Sequence, residues 1–262
     1  MAENEVAIKF SEKLTDKLIS VENALPKDFN RERFVQNCLA VMNETPQLAK
    51  INPAQTIHGL LKGAYLGLDF LSRECYLIPY GNSVQFQTDY RGEVKFTKKY
   101  STRPILDIYA KCVREGDVFS EEVVDGLPKI NFKAKPFNNG NILGAFAVVL
   151  YKDGGMEYET MSVEDINSVR NNYSKASNSK AWKYSFDQMC IKTCLRRLTK
   201  HISTSFESVE AHSAWEEGSG MDFNNPVTPV NDREEVIDIF EDIAGNKEDI
   251  DVVEGEVKDA EE

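Results

Sequence analysis

The chain has 262 residues, 41% of them hydrophobic, which is enough for a sizeable core in one main domain with an appendage. A net charge of −12 would by itself argue against an anionic partner, but from Glu207 onward 19 acids face only Arg233, Lys247 and Lys258 (−16), whereas residues 1–206 hold 28 bases and 24 acids (+4). The five cysteines (Cys38, Cys75, Cys112, Cys190, Cys194) show no CxxC and pair with no histidine at ligand spacing, and no apolar run has membrane-spanning or leader character; reduced core thiols of a cytoplasmic, non-membrane protein are expected, with no metal site and no cofactor.

Phe10, Leu14, Leu18 and Val21 have the spacing of one helix face, closed by Pro26, and residues 1–28 are expected to form an arm that packs on a neighbour. Asn30 predicts the cap of a helix running to Met42, with Phe34, Cys38 and Val41 inward. Asn52 and Pro53 predict the start of the next helix, which buries Ile57, Leu60, Leu61, Ala64 and Leu68. Gly59, Gly63 and Gly67, four residues apart, indicate close packing there. The period then changes to two. Segments 75–80 and 84–88 flank Gly81-Asn82-Ser83 and predict a hairpin in which Val84, Phe86 and Thr88 alternate with Gln85, Gln87 and Asp89. A basic helix over 90–100 carries Arg91, Lys95, Lys98 and Lys99, with Arg103 beyond it. Strands are expected at 105–114, 129–135, 141–151 and 156–161. In the first, Tyr109 and Lys111 share a face and Lys111 points away from the core. Ser162 predicts a helix cap, and a polar loop over 171–180 leads into a helix over 182–202.

That last helix carries the strongest signal. Phe186, Cys190, Ile191, Cys194, Leu195, Leu198 and Ile202 form an apolar sector, while Lys192, Arg196 and Lys200 recur every four residues, about 6 Å apart along the axis. Such a row can track a run of phosphates. From Arg170 to His201 eight Lys or Arg accompany one acid, Asp187. Arg197 falls toward the apolar sector and reads as a paired structural arginine. Beyond Gly218 a Gly/Ser/Pro-rich linker precedes an acidic tail, in which Val236, Ile237, Ile239, Phe240 and Ile243 suit one short helix and the remainder reads as disordered. The expected fold is α+β: an antiparallel sheet with a β-hairpin, a long basic helix packed across it, N-terminal helices and a flexible acidic tail. The divisions are 1–28, 29–206 and 207–262.

There is no GxxxxGK[ST] phosphate loop, no GxSxG and no HExxH. Glu93-Val94-Lys95 has the E-x-K form of metal-dependent nucleases, but it lies in an expected helix rather than a strand, so a nuclease stands only as an alternative. No catalytic residue is assigned. Cationic patches with Tyr76, Tyr80, Tyr90, Tyr109 and Trp182 between them suit a groove that grips a sugar-phosphate backbone. A non-catalytic adaptor whose groove receives an acidic partner, its own tail included, is the other reading.

Five motifs in order carry a resemblance: Gly67-Leu68, Cys75-Tyr76-Leu77-Ile78-Pro79-Tyr80-Gly81, Asp89-Tyr90-Arg91-Gly92, Val113-Arg114-Glu115-Gly116-Asp117, and the run from Met189 to Lys200. Over roughly residues 30–205 the chain resembles the RecT family of phage and prophage single-strand annealing proteins. The family's usual GYKG stands here as Asp89-Tyr90-Arg91-Gly92, which keeps the cation and the second glycine. The resemblance implies an ATP-independent recombinase of the bacterial cytoplasm that binds single-stranded DNA, anneals it to its complement and works with a phage 5′-to-3′ exonuclease. It also implies rings or helical filaments and a β-β-β-α core similar to Rad-type annealing proteins. The motif cations Arg91, Lys192 and Arg196 become the leading expected DNA contacts. Patterning adds Lys111, Lys200, Lys98, Lys99, Arg103 and Tyr90, with Gln85, Gln87 and Thr88 as neutral contacts from the hairpin. The acidic tail would dock the exonuclease or a host single-strand-binding protein, or would keep free protomers off DNA by competing for the groove.

Overall fold

Capping side chains start most helices where the sequence places them. The Asn30 side chain accepts the Arg33 N–H (2.9 Å) to open α2 (Arg31–Glu44), and Asn52 accepts that of Ala54 (2.9 Å) to open α3 (Pro53–Leu66). The computed structural model describes residues 2–174 and 177–219; the linker and short helix expected beyond them lie outside the described residues. Before α2 comes α1 (Ala2–Ser20). After α3 follow the hairpin of β1 (Cys75–Tyr80) and β2 (Ser83–Thr88), then α4 (Tyr90–Tyr100) and β3 (Ile105–Arg114). Next are β4 (Val118–Val124), β5 (Leu127–Lys133), β6 (Ile142–Tyr151), β7 (Met156–Ser162), α5 (Val163–Tyr173), α6 (Lys180–Tyr184), α7 (Phe186–His201) and α8 (Val209–Gly218).

All strand pairs are antiparallel, in a β1-β2 hairpin, a β4-β5 hairpin and a three-stranded sheet of order β3-β6-β7. Middle strand β6 is covered on both faces. Ala145, Ala147, Val149 and Tyr151 pack toward α5 and α7, while Phe146 and Val148 pack under Phe119, Ile130 and Phe132 of the β4-β5 hairpin. That double coverage explains why β6 reads as a continuous apolar run rather than an alternating one.

The largest core lies apart from this sheet. It joins α1, α2, α3, the β1-β2 hairpin, Phe96 of α4 and α8. Two expectations change here. Phe10, Leu14 and Leu18 of the anticipated arm are buried against this chain's own α2 and α3 rather than offered to a neighbour. The segment taken as tail from 207 supplies α8, whose Trp215 stacks on Phe96 (4.6 Å, 24°). Gly59 and Gly63 admit Leu77 and Phe70 against α3, and Gly67 ends the helix in the left-handed conformation (φ 64°).

Two further boundaries differ from expectation. The helix expected over 182–202 is two helices, broken at Ser185 (φ −131°, ψ 43°). Strand β4 was not anticipated, and β5 starts and ends two residues earlier than expected. Asp125-Gly126, with φ of 52° and 77°, supplies the tight two-residue turn between them.

Candidate nucleic-acid interface

Helices α4 and α7 pack side by side, and the row expected to face phosphates faces α4 instead. Asp89 and Glu93, four residues apart, meet Lys192 and Arg196, also four apart: Lys192 Nζ lies 3.2 Å from Asp89 Oδ2, and Arg196 Nη2 lies 2.8 Å from Glu93 Oε1. The two helices therefore run in the same direction with acids and bases in register. Arg196 and Glu93 are each 1% exposed and Lys192 is 9% exposed. These two leading expected contacts are thus buried ion-pair members in the folded chain, because α4 carries the matching carboxylates. Of the stripe, only Lys200 reaches the surface.

The ladder is tightly held but incompletely bonded. Thr88 shares its hydroxyl proton between Glu93 Oε1 (2.7 Å) and the Gly218 carbonyl (3.1 Å), and Asp89 accepts the Arg91 N–H (3.1 Å) at the start of α4. Thr88, expected at least half-exposed, is consequently sealed beneath the end of α8. Arg196 Nη2 stands at ion-pair distance from Glu93 but off the N–H direction, and neither it nor Nε has a hydrogen-bond partner among the described residues. Burial pushes the Glu93 carboxyl above its ordinary value despite the pull of Arg196, and burial pulls the Lys192 ammonium below its own. The E-x-K pattern is absorbed in the same way. Glu93 is committed to Arg196 and Thr88, and Lys95 Nζ bonds Glu74 Oε2 at 2.6 Å. Among the described residues, no three His, Cys, Asp or Glu cluster in a way that could hold a metal ion.

Arg197, expected to turn inward, is 41% exposed and pairs with Glu159 (2.8 Å). Arg197 is thus the paired structural arginine that was expected, with Glu159 as its partner but nearer the surface, whereas Arg196, expected to meet DNA, is the buried one. Three other expected cations also have carboxylate partners: Lys98 with Asp107 (2.9 Å), Lys99 with Asp28 (2.5 Å), and Arg103 with Asp153 through two nitrogens (2.6 and 2.7 Å), its guanidinium stacked 3.9 Å over Tyr151. Charges segregated in the sequence are interspersed in space.

Exposed cations remain beside the first turn of α4. The guanidinium of Arg91 leans on Tyr90, with Nε 3.4 Å from Oη and Cζ 5.7 Å from the ring centre. Tyr76, half-buried and paired across the hairpin with Gln87, lies close enough to Arg73 and Arg91 to feel both charges; burial and Asp89 nonetheless push its hydroxyl well above the ordinary tyrosine range. Arg73 was missed. It stands in the left-handed turn (φ 57°) that delivers the chain into β1, directly before the motif that begins at Cys75. Gly92 allows this crowding, since a Cβ there would overlap the Glu74 carbonyl oxygen. Gln85 and Gln87 are half-exposed along the same hairpin.

Tyr109 and Lys111 are exposed, as expected, but on the sheet face opposite α7. There Tyr109 meets Phe146 edge-on (6.4 Å) and the Lys111 ammonium stands 5.8 Å from the Phe132 ring. The sheet itself therefore separates Lys111 from the α7 row. Tyr184, not singled out from the sequence, is 81% exposed on α6 between Lys183 and the break at Ser185.

Exposed Arg73 and Arg91 beside half-buried Tyr76 and Tyr90 at the foot of a hairpin make a cationic, aromatic surface of the kind that suits nucleic acid. The RecT family model matches residues 32–229, and the chain belongs to the RecT family, among the DNA-binding proteins of recombination and strand annealing. It is 30% identical over 216 residues to Protein RecT of Escherichia coli (strain K12), covering 78% of this chain and 76% of that one. It is also 23% identical over 169 residues to the uncharacterized protein YqaK of Bacillus subtilis (strain 168), covering 63% and 56% respectively.

Proposed function

We propose that the chain binds single-stranded DNA and pairs it with a complementary strand without ATP, as an oligomer and without a hydrolytic step. The family match over residues 32–229 carries this reading, and the arginine–tyrosine cluster at the start of α4 supports it. Arg91, Arg73, Tyr90, Tyr76, Gln85 and Gln87 hold one strand, with Lys111, Lys200 and the partly exposed Lys98, Lys99 and Arg103 as further phosphate contacts. Lys192, Arg196 and Thr88 act from beneath, by fixing the turn that presents Arg91. Cations neutralise the phosphates of both strands, so repulsion falls and base pairing supplies the driving force. In this reading α7 across the β3-β6-β7 sheet is a core similar to that of Rad-type annealing proteins. A 5′-to-3′ exonuclease supplies the single strands in the bacterial cytoplasm, and the acidic C-terminal segment docks that enzyme or a single-strand-binding protein.

The test is annealing of two complementary labelled oligonucleotides without ATP or Mg²⁺. The wild-type chain should accelerate it, and Arg73→Ala/Arg91→Ala should slow it while leaving the melting temperature unchanged. An unaltered rate with wild-type protein would sink the reading and favour the adaptor alternative.

A further inference from the structure

The loop between β5 and β6 makes a backbone choice that costs stability and places there a side chain that recovers nothing within the described chain. Pro136 and Phe137 form its turn, and Phe137 has φ of 51°, the left-handed region that glycine or asparagine occupies at far lower cost. Its side chain is 101% exposed, so the ring contacts nothing. The loop is nonetheless firmly built. Asn138 donates through Nδ2 to the Glu115 carbonyl (3.0 Å) and to Asp117 Oδ1 (2.8 Å), while its own Oδ1 accepts the Gly140 N–H (2.9 Å). Asp117 also accepts the Lys135 N–H (2.9 Å), and Arg114 Nη1 donates to the Gly140 carbonyl (3.1 Å). A phenyl ring is thus held out into water on a clamped turn, where it adds nothing to folding. Strain of this kind at an ordered position points to repayment on a partner.

The surroundings define the partner's chemistry. From Leu127 to Gly140 there is no acid, and Lys129, Lys133 and Lys135 lead up to the ring. Its neighbours in the chain are Pro136, Asn138, Asn139 and Gly140, none of them negatively charged. A flat ring beside cations suits a nucleobase whose flanking phosphates reach the lysines. The clamp is anchored on Arg114 and Asp117 at the end of β3, the strand that also carries Tyr109 and Lys111.

Resting on the reading of the chain as a single-strand binder, we propose that Phe137 is a base-stacking residue. Its ring takes the face of one unpaired base, and Lys133 and Lys135 hold the adjoining phosphates. The ring spaces or separates bases in the bound strand and adds affinity that depends on bases, unlike the phosphate contacts at Arg91 and Lys111.

The experiment measures binding of a labelled single-stranded oligonucleotide and of the same backbone made wholly abasic, by anisotropy, for wild type, Phe137→Ala and Phe137→Trp. Wild type should prefer the intact strand. Phe137→Ala should lose roughly 5- to 150-fold on the intact strand, the affinity equivalent of one stacked base, and nothing on the abasic one. Phe137→Trp should restore the preference. Because the ring touches nothing in the described chain, Phe137→Ala should melt with wild type, so weaker binding cannot be ascribed to misfolding. An alanine variant that keeps the wild-type preference overturns the proposal. So does one that loses affinity equally on both strands together with a smaller assembly by light scattering, which would make the ring a contact between copies. If the wild-type chain binds neither strand, the single-strand reading itself fails, an outcome distinct from the other two.

Discussion

Arg196 shows what a single residue does in this chain. It is a full charge at 1% exposure, and its stability depends on Glu93 being present to oppose it. Removing one member of a buried pair leaves an uncompensated charge, at a cost of about 3–5 kcal/mol, whereas replacing both with apolar groups of similar volume is often near neutral. Arg196→Ala should therefore lower the urea midpoint sharply, and Glu93→Leu/Arg196→Met should recover most of the loss. If the single variant unfolds with wild type, the pair contributes nothing and the ladder is incidental. The helical wheel assigned Arg196 to solvent and Arg197 to the core because it weighs only the apolar sector. The missing information was a second helix bearing carboxylates. Asp89 and Glu93 do repeat the four-residue interval of Lys192 and Arg196, but a shared interval does not by itself pair segments 103 residues apart.

Among elements, α8 and the β4-β5 hairpin depart furthest from expectation. Trp215 fixes α8 against Phe96, and Trp215→Ala should cost about 3–5 kcal/mol by denaturant titration, the range for emptying a large aromatic site in a core. A negligible loss would return α8 to the tail, where composition had put it. The acids of this segment misled the reading because they sit on the outer face of a helix whose inner face is Ala211, Ala214 and Trp215. At the root of the hairpin, Asp117 accepts N–H groups from Arg114 and Lys135 and the amide of Asn138, and these hold its carboxyl below the ordinary 3.8. A carboxyl depressed in the folded state contributes its full stability above the unfolded value and loses it as pH falls through the folded one. Asp117→Asn should therefore be less stable than wild type near neutrality, and the gap should narrow as the medium is acidified below 3.8. A gap that does not vary with pH would assign the effect to geometry rather than charge. The hairpin's turn was legible in Asp125-Gly126, but the acids of β4 and the proline of β5 weakened its strand pattern. The β1-β2 hairpin, β3, β6, β7 and the capped helices were readable because period and punctuation agreed in them.

For the whole molecule, a share of the body's positive charge is committed to internal pairs. Surface pairs such as Lys98–Asp107 leave fewer cations for a polyanion than the count of bases suggests. The slope of log affinity against log salt should accordingly be modest. Arg91→Ala should reduce it by about 0.7, the value of one single-strand phosphate contact, and Lys98→Ala should change it less. Equal slopes for wild type and Arg91→Ala would remove Arg91 from the interface. Basic character was legible from the sequence. Its division between structural pairs and free surface was not, because the partners lie far along the chain, as when Asp89 meets Lys192.

The in-register ladder between α4 and α7 also governs what an unbiased search for inactive variants would return. Selection for lost recombination would enrich changes at Lys192, Arg196, Asp89 and Glu93 first, and their clustering would resemble the outline of a binding groove. Those hits would be reporting how much folded protein each cell contains. A soluble-yield measurement on the same clones separates the two populations, and the variants that remain abundant yet inactive are the ones that trace the DNA path.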